Sequence, residues 1–143
     1  MNKNLYFILF FVIQVCLTFD FESNVLSLNE TNFNDTINNN KKGFLVLFYD
    51  PSCVFSQKFF PLFNKIAKDY KNKCIFGKVN GKENMNLMLE LLIGGYPRMM
   101  FFINGKSYEF SGKRSEKRIK DFINSNIKKN KSQLKYSKIG NQY

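Results

Sequence analysis

Gly43-Phe44-Leu45-Val46-Leu47-Phe48-Tyr49-Asp50-Pro51-Ser52-Cys53-Val54-Phe55-Ser56-Gln57 is the stretch that decides how this chain folds. Gly43 to Tyr49 is an unbroken apolar run of strand length. A run without polar alternation predicts a central strand covered on both faces. Asp50-Pro51-Ser52 predicts a turn, and Ser52 to Tyr70 predicts a helix. Within it Phe55, Phe59, Leu62, Phe63, Ile66 and Tyr70 recur at three- and four-residue steps, which gives one apolar side. Pro61 interrupts that helix and is expected to kink it. Cys53 therefore falls where a strand gives way to a helix. A sulfur there faces unpaired backbone N–H groups and the positive end of the helix dipole, both of which favour thiolate over thiol. Such sites lower a thiol pKa from about 8.5 to roughly 3.5–7.5. Ser56 lies one turn on, on the same face. Its hydroxyl can donate a hydrogen bond to the sulfur but cannot close a disulfide. Taken alone, Cys-x-x-Ser reads as a small buried residue opening a helix, the commonest role of free cysteine. The surrounding residues reverse that reading.

Working outward, Val25 to Leu28 alternates as a short first strand, and Asn29 to Asn40 holds a short helix with Phe33 and Ile37 on one face. Thr31, Asn32 and Asp35 are candidate caps there. Cys74 to Val79 predicts a strand, and Lys82 to Leu92 a second long helix ended by Gly94-Gly95. Tyr96-Pro97 precedes a strand over Arg98 to Ile103. Asn104-Gly105 signals a hairpin into Lys106 to Phe110. Gly112 breaks that strand and Ser115 can cap a last helix with Ile119, Phe122, Ile123 and Ile127 as its apolar face. From Lys128 onward the composition predicts a basic, disordered tail. The expected order is β-α-β-α-β-α-β-β-α, an α/β chain without internal repeats.

The 143 residues amount to one small domain, and 17 Phe and 7 Tyr suffice for one core. The chain has no His, which excludes Ser-His-Asp and Cys-His catalysis, His-ligated zinc and an imidazole base. No phosphate-binding loop, paired catalytic carboxylates or metal-ligand spacing is present, so no cofactor or metal is expected. The net charge of +11 is spread through Lys-Asn-rich stretches such as Asn38 to Lys42 and Lys128 to Lys138. It reads as solvated surface rather than a nucleic-acid-binding stripe. Anionic-surface binding through the basic tail is the weakest of the functional ideas it raises. Lys3 followed by the apolar run Leu5 to Ile13 reads as a signal peptide over residues 1–18, cut after Thr18. The run is short for a membrane span, so a membrane role is expected only through an uncleaved signal. Cleavage would remove Cys16 and leave Cys53 and Cys74, of which Cys74 is expected to be a buried structural thiol. The domain then covers residues 19–127 and the tail 128–143.

Around Cys53 the chain resembles the disulfide isomerase branch of the thioredoxin superfamily. Phe48-Tyr49-Asp50-Pro51-Ser52-Cys53 stands like the family's Phe-Tyr-Ala-Pro-Trp-Cys lead-in. Pro61 matches the proline of the family's active-site helix, and Gly95-Tyr96-Pro97 with Phe101-Phe102-Ile103-Asn104-Gly105 matches its cis-proline loop and hairpin. Tyr108, Gly112 and Arg114 match its late Tyr-x-x-x-Gly-x-Arg pattern. Within that branch, Cys53-Val54-Phe55-Ser56-Gln57 is similar to the Cys-x-Phe-Ser-Gln site of the thiol-retention chaperones of the early secretory pathway. The resemblance runs from Val25 to Ile127. It implies a thioredoxin fold, a central mixed sheet flanked by helices on both faces. It also implies a cis Tyr96–Pro97 bond whose edge pairs with an extended client, and an Arg114 that approaches the site and stabilises thiolate.

Three departures bear on mechanism. Ser56 removes the resolving thiol, Ser52 replaces the usual Trp, and Leu47 stands where redox-active members carry a buried Glu. Lys78 stands where the family's Lys pairs with that Glu, and reads equally as a strand-edge lysine. The expected catalytic residues are Cys53, Ser56, Pro97 and Arg114, with Phe55, Tyr96 and Pro97 binding substrate. The expected activity is monothiol exchange with, or thiol-dependent chaperoning of, client proteins that carry thiols or disulfides, with glutathione a candidate resolving thiol. It is not a dithiol oxidoreductase. The alternative is a non-catalytic binding module or a subunit of a larger assembly. The chain ends Ile139-Gly140-Asn141-Gln142-Tyr143 without a retrieval signal, so the expected location is the endoplasmic reticulum lumen or outside the cell.

Overall fold

A computed structural model describes residues 24–140, with side chains described through Leu134. The signal-peptide reading, its cleavage site and Cys16 lie outside the described residues. The elements are β1 (Val25–Leu28), α1 (Phe33–Asn38), β2 (Phe44–Tyr49), α2 (Val54–Tyr70), β3 (Ile75–Asn80), α3 (Met85–Glu90), β4 (Arg98–Ile103), β5 (Lys106–Glu109) and α4 (Glu116–Gly140). They form one five-stranded sheet in the order β1-β3-β2-β4-β5. β3 pairs in parallel with β1 and β2, while β4 runs antiparallel to β2 and β5 antiparallel to β4. This is the thioredoxin fold.

β2 explains why its sequence lacks polar alternation. Side chains alternate between sheet faces, and both faces of β2 are covered. Leu45 and Leu47 join Phe59, Phe63, Ile66, Phe76, Phe101, Ile119 and Ile123 in the cluster beneath α2 and α4. Phe44, Val46 and Phe48 join Phe33, Val79, Leu87, Met88 and Phe102 in the cluster beneath α1 and α3. Phe33 meets Phe102 edge-on, and Phe63 meets Phe76 in the same way. Such pairs add about 0.5–1.5 kcal/mol beyond the area they bury.

Two elements differ from the sequence expectation. The second long helix is short: α3 occupies only Met85–Glu90. Its upstream residues are held by asparagines instead. The Asn80 carboxamide oxygen accepts the Lys82 N–H at 3.1 Å, and the Asn84 amide donates to the Asn80 carbonyl at 2.8 Å. Asparagine side chains that bond nearby backbone compete with helix in this way. The stop is not Gly94-Gly95 but Leu92, which takes a φ of 54° while the Ile93 N–H bonds the Met88 carbonyl at 2.8 Å. That is the six-to-one bond of a Schellman ending. The second difference is the tail. α4 runs on to Gly140 where the composition predicts disorder. On either side of Ile127 its buried positions include asparagine, which hydropathy reads as solvent. Asn126 and Asn130 are buried, Asn126 donates to the Phe122 carbonyl, and Asn104 donates to Asn130 at 3.2 Å.

The β4–β5 turn follows the sequence signal. Asn104 and Gly105 have φ values of 48° and 70°, the two left-handed positions of a tight hairpin. No atom crowds a Cβ built at Gly105. Gly105→Ala is therefore expected to destabilise by backbone conformation alone, about 1–2 kcal/mol. The check is a chemical denaturation midpoint that falls while the far-UV spectrum stays the same.

Candidate functional site

Cys53 is the N-cap of α2, with an extended backbone. Its N–H bonds the Asp50 carbonyl at 3.0 Å, closing the turn after β2, and its carbonyl accepts the Gln57 N–H at 3.0 Å, opening the helix. The sulfur thus points to the pole of the sheet where β2 ends and β4 begins. It is partly exposed and lies 3.8 Å from the Tyr96 carbonyl oxygen. The Cys53 thiol titrates below its ordinary range. The main cause is hydrogen bonding from the Ser56 backbone N–H, joined by the Ser56 hydroxyl and the Phe55 N–H, against partial desolvation and the nearby Asp50 charge. Ser56 itself is fully buried, and its oxygen accepts the Asp50 N–H at 3.4 Å. Cys53 and Ser56 therefore stand together as the sequence expects, and the larger share of the stabilisation comes from backbone.

The proline loop closes the other side. Tyr96–Pro97 is a cis peptide bond, and Pro97 is buried. Arg114 donates to the Pro97 carbonyl at 2.7 Å. It acts on the loop rather than on the sulfur, so its place in this structure is positional, unlike the thiolate contact the resemblance implies. Tyr96 presents its carbonyl to Cys53, but its ring packs inward against the second core cluster. A Cβ built at Gly81 would sit 2.0 Å from the Tyr96 hydroxyl oxygen, so only glycine leaves the ring this seat. Next to the sulfur along α2, Phe55 and Val54 face outward, 72% and 54% exposed. A cleft of about 510 Å³ opens beside the loop, between Gly94–Met99 and Glu109–Arg114.

Sequence reading missed Asp50 and Lys82. The Asp50 carboxylate accepts the Ser52 N–H at 2.8 Å and the Ser52 hydroxyl at 2.7 Å, and lies 3.4 Å from the Lys82 ammonium, which also donates to Ser52. These contacts, the Ser52 hydrogen bonds first, hold the Asp50 carboxyl below its usual range. The network occupies the rim where the family's Trp would stand. Asp50 in place of the lead-in's alanine was the available signal. Leu47, in the place of the family's Glu, is fully buried and pairs in register with Lys78. The Lys78 ammonium instead lies 5.9 Å from the Phe60 ring centre, a cation–π contact. Cys74 is fully buried, and desolvation pushes its thiol up to about 12. No group of three or more Cys, Asp or Glu able to hold a metal gathers among the described residues.

A strand-to-helix cysteine facing a cis-proline loop on this sheet order defines a thioredoxin-type site. The thioredoxin family model matches residues 24–125, and the chain belongs to that family. It is 32% identical over 126 residues to Protein disulfide-isomerase 1 of Caenorhabditis elegans, covering 86% of this chain and 26% of that protein. It is 32% identical over 104 residues to Thioredoxin of Buchnera aphidicola, covering 72% of this chain and 96% of that one. Human ERp44 superposes with a TM-score of 0.66 at 29% identity, over 72% of this chain and 29% of that structure. The chain thus spans about a quarter of the disulfide isomerase it matches and nearly all of the single-domain thioredoxin.

Proposed function

We propose that this domain performs single-thiol exchange with client proteins of the secretory pathway. The observation that carries the reading is a partly exposed Cys53 sulfur, stabilised as thiolate by the α2 N-terminus, with a hydroxyl where a second thiol would stand. The Cys53 thiolate attacks one sulfur of a client disulfide. That S–S bond breaks, a Cys53–client disulfide forms, and the other client sulfur leaves as thiolate. No electrons are gained or lost overall. Ser56 cannot displace the client, so the mixed disulfide persists until a client thiolate or glutathione attacks it and Cys53 departs as thiolate. The domain is therefore suited to capture, retention or isomerisation, and poorly suited to net oxidation or reduction. Phe55, Val54 and the cleft beside Pro97 would hold the client chain, with Arg114 fixing the loop.

Retention of clients in the manner of a thiol-dependent chaperone is the finer form of this proposal. Its supports are the Cys-x-Phe-Ser-Gln pattern, the similarity to human ERp44 and the apolar run near the N-terminus. The endoplasmic reticulum lumen or the extracellular space would be the site of action. The test is acid-quenched trapping of mixed disulfides with a disulfide-bonded peptide, followed by alkylation. Wild type is expected to accumulate the adduct and Cys53→Ser to yield none. An adduct of undiminished amount in Cys53→Ser would end the proposal.

A second reading, a non-catalytic binding module, is favoured by the outward-facing Phe55 and Val54. It requires that client binding persist unchanged in Cys53→Ala.

A further inference from the structure

At the pole opposite Cys53 the molecule carries a larger concavity, about 1210 Å³, between the start of β2, the β4–β5 turn and the second half of α4. β2 begins at this pole and ends at the cysteine, and its six residues separate the two sites by about 20 Å. Five lysines line the concavity, Lys41, Lys42, Lys73, Lys128 and Lys131, and no acidic residue does. All five are exposed, and none forms an ion pair among the described residues. Its apolar lining is the buried Ile103, the half-buried Ile127 and the exposed Leu134, joined by Asn72, Asn104, Asn124 and Asn130.

The wall of this groove is built. Asn104 bonds the buried Asn130, and Lys106 donates to Gln133 at 2.7 Å, so the hairpin is tied to the part of α4 whose composition resembles a loose tail. Gly43, at the groove's edge, would place a Cβ 2.0 Å from the buried Phe101 ring, so backbone and core meet there without a side chain between them.

We infer that this groove docks an acidic segment of a partner protein that carries apolar anchor side chains. Charge complementarity names the sign of the occupant: five lysines without a countercharge attract carboxylates and exclude basic chains. The apolar lining within the concavity, Leu134 still 46% exposed, asks for apolar side chains to cover it, as a peptide supplies. The asparagine amides can donate to and accept from a peptide backbone. Nucleic acid fits less well, because no aromatic side chain lines the groove and single strands bind largely by stacking. A planar membrane meets a rim of lysines but does not enter a concave floor. This inference does not depend on Cys53 chemistry. A partner held here would leave the thiol free for a client.

The test uses the full chain and a fluorescent peptide of alternating Glu and Leu. Three comparison probes accompany it: the same peptide with Ser for Leu, phosphatidylserine vesicles, and an oligothymidylate. The Glu–Leu peptide is expected to bind with an affinity that falls with salt. Lys128→Glu/Lys131→Glu is expected to weaken it at least tenfold, whereas the equally charge-changing Lys58→Glu/Lys68→Glu on α2 leaves it within twofold. Cys53→Ser is expected to bind like wild type, which separates this outcome from that of the exchange proposal. Circular dichroism of each variant checks that the exposed substitutions leave the fold intact. Equal binding of the Ser peptide, tighter binding of vesicles or oligothymidylate, or equal losses in the two double variants would overturn the inference.

Discussion

Ser56→Cys is expected to shorten the lifetime of the Cys53 mixed disulfide by on the order of 10³-fold or more. An intramolecular thiol held one turn away acts at an effective concentration far above that of any millimolar external thiol. Wild type, with a hydroxyl at that position, must wait for an external thiolate. The pH dependence of the variant follows from burial. Position 56 is fully buried, and desolvation raises a thiol pKa. The site also offers little to take the proton, because Leu47, where the resemblance implies a buried Glu in redox-active members, is apolar and fully buried. The new thiol is therefore mostly protonated at neutral pH, and release accelerates as pH rises through its raised pKa. Attack by Cys53 behaves differently. Its thiol is lowered by the Ser56 N–H and its companions, so the thiolate is already present at lower pH. Stopped-flow release of a fluorescent client thiol, read from pH 6 to about 9, distinguishes the two steps. A variant whose adduct decays no faster than that of wild type at any pH would show that residues 53 and 56 are not aligned for exchange.

What could be read in advance follows the physics of each signal. β2 was legible because burial on both faces leaves a run of apolar residues with no competing explanation. The hairpin was legible because few residues other than Asn-Gly tolerate two left-handed positions in succession. Cys53, Ser56 and Pro97 were legible through their spacing and flanks. α3 was overextended because asparagine side chains at residues 80 and 84 hold the backbone in a turn, a local side-chain-to-backbone choice that apolar periodicity does not register. The end of α4 was lost for the converse reason, since asparagine there is buried and bonded although composition marks it as solvent-facing. Asp50 and Lys82 were missed because they meet across the gap between the turn after β2 and the turn after β3. Arg114 was named from the late motif, and the structure puts it on the proline loop. Its partner, the Pro97 carbonyl, could not be told from the motif.

Phe63→Ala and Phe55→Ala are expected to have opposite effects, although both remove the same side chain from one helix. Phe63 is fully buried between Phe59 and Phe76, with ring centres 6.1 and 5.6 Å away. Truncating such a residue costs about 3–5 kcal/mol through lost transfer energy and the cavity left behind. Against a total stability of about 5–15 kcal/mol, that is a large share. With a urea slope of about 1–3 kcal/mol per molar, the midpoint falls by on the order of 2 M. Phe55 is 72% exposed, so its removal changes stability by no more than about 0.5 kcal/mol. Client capture is expected to respond the other way. Below the unfolding transition, Phe63→Ala keeps its adduct yield, because the α2 N-terminus and the proline loop are held by backbone and by Arg114. Phe55→Ala captures less, because the apolar surface beside the sulfur is gone. Equal stability losses would mean that α2 does not present these two faces. Equal capture losses would mean that the exposed face plays no part in holding a client.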